Sequence, residues 1–155
     1  MTATAPTPGL APAFDVEVHL APLQDHGNTR AGHRRVVPVT GGHVHGLFTA
    51  DILPGGGDWQ LVRPDGAVEI SARYTAQTPE GEYVNIRTFG VRSGPPDVLQ
   101  ALLEGAPVDA STYYFRMSVH LESAAPSLDT LQQSIFIASA IRDADRVHYR
   151  AYRVT

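Results

Sequence analysis

Residues 55–89 read GGGDWQLVRPDGAVEISARYTAQTPEGEYVNIRTF, and the turns within this stretch decide the fold. Asp58–Arg63 and Ala67–Gln77 are two strand-like runs joined by Pro64-Asp65-Gly66. Thr78-Pro79-Glu80-Gly81 then leads into a third run, Glu82–Phe89. Each turn carries a glycine where a left-handed backbone is needed, so three consecutive antiparallel strands are expected. If Asp65-Gly66 is a two-residue hairpin loop, Trp59 lies opposite Ala72, Leu61 opposite Ile70 and Asp58 opposite Arg73. One face then collects Trp59, Leu61, Ile70, Ala72 and Tyr74, and the other Asp58, Gln60, Glu69, Ser71 and Arg73. A three-residue loop would shift the pairing by one and mix these faces, which favours the shorter loop. At the second turn a three-residue loop fits better. It sets Arg73 opposite Arg87 and Tyr74 opposite Ile86, with Asp58 placed to bridge the two arginines.

The alternation continues outward from this meander. Phe14–Leu20 is expected as the first strand, followed by a polar connection over Gln24–Gly32. Arg34–Thr40 is a second extended run, which Pro38 makes an edge or bulged strand, and Gly41-Gly42 breaks it before Val44–Leu53. Asp97–Glu104, preceded by Pro95-Pro96 and stopped by Gly105, is the one helix, its Leu99, Leu102 and Leu103 stripe lying across a barrel mouth. Tyr113–Glu122, Ser134–Arg142 and Arg146–Val154 complete an all-β, antiparallel barrel of about eight strands with one short helix. Within Tyr113–Glu122, Tyr114, Arg116 and Glu122 share the polar face. Residues 1–13 are expected to be a disordered leader and 14–155 a single domain.

Composition excludes several chemistries. There is no cysteine, so disulfides and thiolate nucleophiles are absent, and all 12 basic residues are arginine, which removes Schiff-base catalysis. A formal net charge of −4, with His33-Arg34-Arg35 the only basic cluster, argues against nucleic acid. No apolar run approaches the roughly 20 residues of a membrane helix, and no signal peptide is evident, so a cytoplasmic protein with no membrane partner is expected. His43-Val44-His45 has a metal-ligand spacing but no nearby acid, and no metal is expected there. Gly55-Gly56-Gly57 lies between strands and opens no helix, so it reads as a turn rather than a phosphate cradle.

Four segments in order, GHRRVVPVTGG (residues 32–42), ADILPGGGDWQLVRPDG (50–66), ARYTAQTPEGEYVNIRTFGVR (72–92) and YYFRMSVHLES (113–123), resemble the bacterial family called domain of unknown function 3237. The resemblance runs from about Phe14 to the C-terminus. It implies a small calycin-type barrel similar in shape to allene oxide cyclase, with a tendency to form homo-oligomers. Two departures stand out. His45-Gly46 replaces a Gly-Pro common in the family, and Leu128–Gln132 replaces a segment that often reads Tyr-x-Trp-Leu-Asn, which implies a remodelled pocket.

Together, the residues and the resemblance define a candidate site. Asp58, Arg73, Arg116 and Glu122 form the catalytic set, a carboxylate acting as general base and the arginines holding an oxyanion. Trp59, Tyr74, Arg87 and Tyr114 would bind the ligand. The expectation is a cofactor-free, metal-independent enzyme, a cyclase or isomerase, acting on a small anionic or planar organic molecule. Two alternatives remain open: a non-catalytic small-molecule-binding barrel, and an oligomeric structural or interaction module. The enzyme requires the four charged residues to converge in a closed cavity.

Overall fold

The computed structural model describes residues 2–155. Ten strands run in chain order: β1 (Leu10–Leu20), β2 (Gln24–Thr29), β3 (Gly32–Gly46), β4 (Ala50–Ile52), β5 (Gly57–Val62), β6 (Val68–Gln77), β7 (Tyr83–Ser93), β8 (Tyr114–Ser123), β9 (Phe136–Arg142) and β10 (Arg146–Val154). They fill eight positions of a closed antiparallel barrel. β1 pairs with one end of β3 and β2 with the other, so these two segments share one position. β4 and β5 share another, both lying between β3 and β6. Pairing of β1 with both β10 and β3 closes the ring.

The expected all-β barrel is therefore present, with local corrections. β1 starts at Leu10, inside the segment expected to be a leader, because Leu10–Pro12 pair with Tyr152–Val154 and Gly9 and Thr155 exchange backbone hydrogen bonds. Gln24–Thr29 is a strand rather than a loop. Gly41-Gly42 does not break β3, which runs continuously past both residues. Pro38 sits in a central strand without losing a ladder bond. Its carbonyl accepts from Ala21 in the gap between β1 and β2, so its missing N–H faces an interruption in the neighbouring position.

The decisive correction concerns the β5–β6 hairpin. The loop has three residues, Arg63 N–H donating to the Ala67 carbonyl and Gly66 N–H to that of Arg63. Asp65 Oδ1 accepts from Ala67 N–H at 3.0 Å, and Gly66 takes φ +87°, the left-handed residue that such a loop requires. Asp58 consequently lies opposite Ala72, and Arg73 lies opposite Gly57. The β6–β7 register, with Arg73 opposite Arg87 and Tyr74 opposite Ile86, is as expected.

The barrel has two unlike ends. One is filled by Phe14, Phe48 and Phe136, with Phe14 ring centroids 5.2 and 5.4 Å from the other two, and by Ile86, Leu128 and Leu131. The other end is flanked by the helix α1 (Pro96–Leu103). Pro96 opens that helix, and beyond its C-terminus Gly105 N–H donates to the Leu102 carbonyl and Ala106 N–H to that of Ala101. Leu102 is buried, Leu99 packs against the core, and Leu103 is exposed. No helix among the described residues is long and apolar enough to cross a membrane.

Gly56 lets the chain enter β5 across β6: a Cβ there would sit 2.7 Å from the Tyr74 Cβ and overlap the Arg73 carbonyl oxygen. Gly56→Ala should therefore cost at least about 2 kcal/mol of stability, and Phe136→Ala about 3–5 kcal/mol. Denaturant unfolding monitored by circular dichroism measures both. A Gly56→Ala midpoint equal to that of the parent would contradict the close packing described.

Candidate functional site

The three-residue turn gives β5 an inverted pattern. Asp58 and Gln60 point into the barrel, whereas Trp59 lies on the outer wall, 45 % exposed. On β6 the inward residues are Ile70, Ala72 and Tyr74, and on β8 they are Phe115 and Met117. β7 carries its inward phase through Ile86 and Thr88 to Arg92, and β9 carries its own through Ala138 and Ala140 to Arg142. The polar groups thus gather at the α1 end, while the opposite end is apolar throughout.

Asp58 is the anionic centre of this group. Its Oδ2 accepts from Gln60 Nε2 at 2.8 Å and its Oδ1 from Ser71 N–H at 3.1 Å. The residue is partly buried and lines the inner cavity. Desolvation raises its pKa above the ordinary 3.8, outweighing the opposite effects of the two hydrogen bonds and of Arg92 and Arg142. Around it stand three enclosed guanidinium groups. Burial pulls Arg92 down to about 10, with Arg142 adding repulsion, and burial also lowers Arg35 and Arg142. All three remain charged at neutral pH. Arg92 lies over the Phe115 ring, 5.2 Å from its centroid. Arg142 is positioned through its backbone N–H, which donates to the Tyr113 hydroxyl at 3.0 Å.

Deeper in, the Tyr74 and Tyr149 hydroxyls hydrogen bond to each other at 2.5 Å. Desolvation holds both phenols above the ordinary tyrosine range, and each lies next to the other in the cavity wall. The cavity bounded by these residues and by Val18, Val39 and Ile70 offers about 40 Å³ to water-sized occupants. A larger recess of about 360 Å³ lies outside it, between Leu23 and α1. Leu20, Gln60, Arg92 and Arg142 border both spaces.

Of the residues expected to form the site, the barrel interior contains Asp58 and Tyr74. Trp59, Arg73, Arg87, Tyr114, Arg116 and Glu122 all project from the outer wall. The expected convergence of Asp58, Arg73, Arg116 and Glu122 in one cavity does not occur. Arg73 is outside because the register moved by one; Arg116 and Glu122 are outside because Phe115, Met117 and Val119 hold the inward phase of β8. Nor does Asp58 bridge Arg73 and Arg87, which face each other across the outside of the sheet. Sequence reasoning missed Gln60 as an interior residue, together with Arg35, Arg92, Arg142 and Tyr149. Extending the period-two phase of β7 beyond Phe89 finds Arg92, and the same phase in β9 ends on Arg142. Leu128, Leu131 and Gln132, where the chain departs from the family pattern, lie away from this cavity. The leucines fill the apolar end, and Gln132 hydrogen bonds to Ser123.

The family described as "Protein of unknown function (DUF3237)" matches residues 8–154. The chain belongs to this family. A UPF0311 protein of Bradyrhizobium diazoefficiens is 36 % identical over 141 residues, 91 % of this chain and 93 % of its own. The crystal structure of a conserved protein of unknown function from Rhodopseudomonas palustris superposes with a TM-score of 0.91 at 33 % identity, covering 98 % of this chain and 100 % of that one. A β-barrel-like protein from Acinetobacter baumannii gives 0.85 at 34 % identity, covering 99 % and 100 %. More distantly, an enzyme from Penicillium herquei shares the fold, with a TM-score of 0.69 at 16 % identity and coverage of 99 % and 100 %.

The buried tyrosine pair gives a test with a definite sign. Because both folded-state pKa values are raised, their contribution to stability is complete below the ordinary tyrosine value of about 10 and is lost as pH rises beyond it. Absorbance titration at about pH 11 should leave part of the phenolate signal undeveloped until denaturant is added. Full ionisation of all 6 tyrosines in the native chain at that pH would refute the buried pair.

Proposed function

We propose that the protein is a cofactor-free enzyme acting on a small organic molecule in the barrel cavity, by acid–base chemistry of the cyclase or isomerase type. The observation that carries this reading is Asp58: a carboxyl lifted above its ordinary pKa by burial, held by two hydrogen bonds, amid three enclosed arginines. Such a group has the proton affinity a general base needs and the fixed geometry that aims it. In this mechanism Asp58 removes a proton from a carbon or hydroxyl of the substrate. Arg92 and Arg142 stabilise the negative charge that develops, their field strengthened by exclusion of water. The Tyr74–Tyr149 pair donates a hydrogen bond to a substrate oxygen, and Asp58 returns the proton it removed after ring closure or double-bond migration, which restores its carboxylate. No atoms are gained or lost, so substrate and product have the same mass.

The outer residues favour an accompanying assembly. Register places Ser71, Phe89, Ser118, Ile137 and Tyr152 in one row across the sheet, and Trp59 adjoins that row through the groove it forms with Arg73, Arg87 and Phe89. Trp59, Phe89 and Ile137 are exposed apolar side chains there. A second copy of the chain is the proposed occupant. In that reading Arg73, Arg87, Tyr114, Arg116 and Glu122 serve the contact rather than the chemistry. Sedimentation velocity over a concentration series should give a dimer or higher species that Trp59→Glu dissociates; a monomer at all concentrations would refute the assembly.

The catalytic reading is tested by incubating the protein with small-molecule extracts and following mass-neutral conversions by chromatography and mass spectrometry. One ion should be depleted as an isomer of equal mass appears, and Asp58→Asn should slow that conversion by about 100-fold or more. The acidic limb of the rate profile should fall above pH 3.8, since Asp58 works only when deprotonated and its pKa is raised. Conversion unaffected by Asp58→Asn would overturn the assignment.

A further inference from the structure

The enclosed polar cluster leaves several of its buried polar atoms without direct partners. Asp58 is the carboxylate common to Arg35, Arg92 and Arg142, with Asp25 also acting on Arg35 and Asp143 and Asp145 on Arg142, yet none of the three makes an ion pair within 4.0 Å among the described residues. Arg35 and Arg92 are 7 % and 8 % exposed. Arg35 Nε and Arg142 Nη1 are buried donors without an acceptor, and Gln60 Oε1 is a buried acceptor without a donor. Proteins rarely leave such groups unmet, because an enclosed charge without a counter-charge destabilises the fold. Packing does not require guanidinium groups here. Inward positions of the same strands elsewhere carry Ala138, Ala140, Ile86 and Thr88.

We infer that the missing partner is the substrate: an organic anion whose carboxylate or enolate head binds between Arg92 and Arg142, with an apolar body lying in the recess beside α1. This deepens the catalytic reading above, since it names the substrate class for the same cavity. Size decides the direction of entry. The inner space of about 40 Å³ admits a small head group and no more, whereas the outer recess of about 360 Å³ falls within the range of small-molecule sites. Leu23, Leu102 and Leu103 give the recess its apolar surface, Glu104 and Asp145 also line it, and Arg92, Arg142 and Gln60 stand at the waist between the two spaces. A planar delocalised oxyanion matches the guanidinium fork, and its second oxygen reaches the side of the waist where Gln60 holds Asp58.

Isothermal titration of the 155-residue chain with cinnamate and with cinnamamide, which share a shape but not a charge, tests this on the unmutated protein. Cinnamate should bind at least about ten-fold more tightly than the amide. Arg92→Met and Arg142→Met should each weaken cinnamate by about ten-fold or more, while Arg73→Met on the outer wall leaves it unchanged. Without ligand, Arg92→Met should raise the melting temperature, because a methionine removes an uncompensated charge and still packs on Phe115. Equal affinity for acid and amide, or equal weakening by Arg73→Met, would overturn the proposal. Asp58→Asn separates it from the catalytic reading. Retained cinnamate binding without any Asp58-dependent conversion removes the catalysis and keeps the anion site. Asp58-dependent conversion that cinnamate does not inhibit removes the anion site and keeps the catalysis.

Discussion

A three-residue turn at Pro64-Asp65-Gly66 determines which side chains the barrel encloses. With the Asp65 carboxylate accepting from Ala67 N–H and Gly66 in the left-handed region, β5 is held one residue out of step from its apolar pairing. The acidic centre of the interior follows from that offset. Asp58 and Gln60 turn inward, Trp59 turns outward, and the Ser71 N–H becomes a ligand of the Asp58 carboxylate. A local turn preference here overrides hydrophobic patterning on a whole strand. Such an exchange is tolerable because the apolar end of the barrel supplies the burial that β5 gives up.

Most of the barrel is legible in the sequence because period-two alternation and turn glycines report backbone geometry directly. Residues 146–154 are recovered with their exact bounds as β10, and the β6–β7 register is recovered pair by pair. The cavity is less legible, for a physical reason. Alternation says that a strand has two faces and assigns the apolar one to the core, but a binding cavity is the place where that assignment is inverted on purpose. Asp58 and Tyr74 are singled out in the sequence, yet on opposite faces; the structure puts both inside because they belong to strands whose relative offset the sequence does not determine. Arg92 and Arg142 are in phase with buried neighbours and escape notice only because they fall at strand ends, where a charged residue ordinarily meets solvent.

The two ends of the barrel divide the physical tasks between them. At the Phe14–Phe48–Phe136 end, packed aromatic rings supply cohesion. At the α1 end, charges are gathered at a cost to stability, against walls of Ile70, Met117 and Val147 that keep the local dielectric low. Neither end would serve alone. A barrel apolar throughout would be more stable and inert, and one polar throughout would not hold its shape. Leu128 and Leu131, where the chain departs from its family's pattern, fall on the cohesive end, so that departure alters the plug and leaves the charged chamber untouched.

Two of the eight wall positions are spliced, β1 to β2 across Ala21–Leu23 and β4 to β5 across Leu53–Gly56. A splice is a seam: the ladder is interrupted there, so the chain can lengthen or shorten without pushing any other strand out of register. The first seam borders the recess beside α1, through Ala21, Pro22 and Leu23. The rim of the chamber can therefore be recut by insertion or deletion at a point where the barrel does not register the change. A wall built this way separates the inheritance of the fold from the inheritance of the ligand, and lets one vary while the other is conserved by geometry alone.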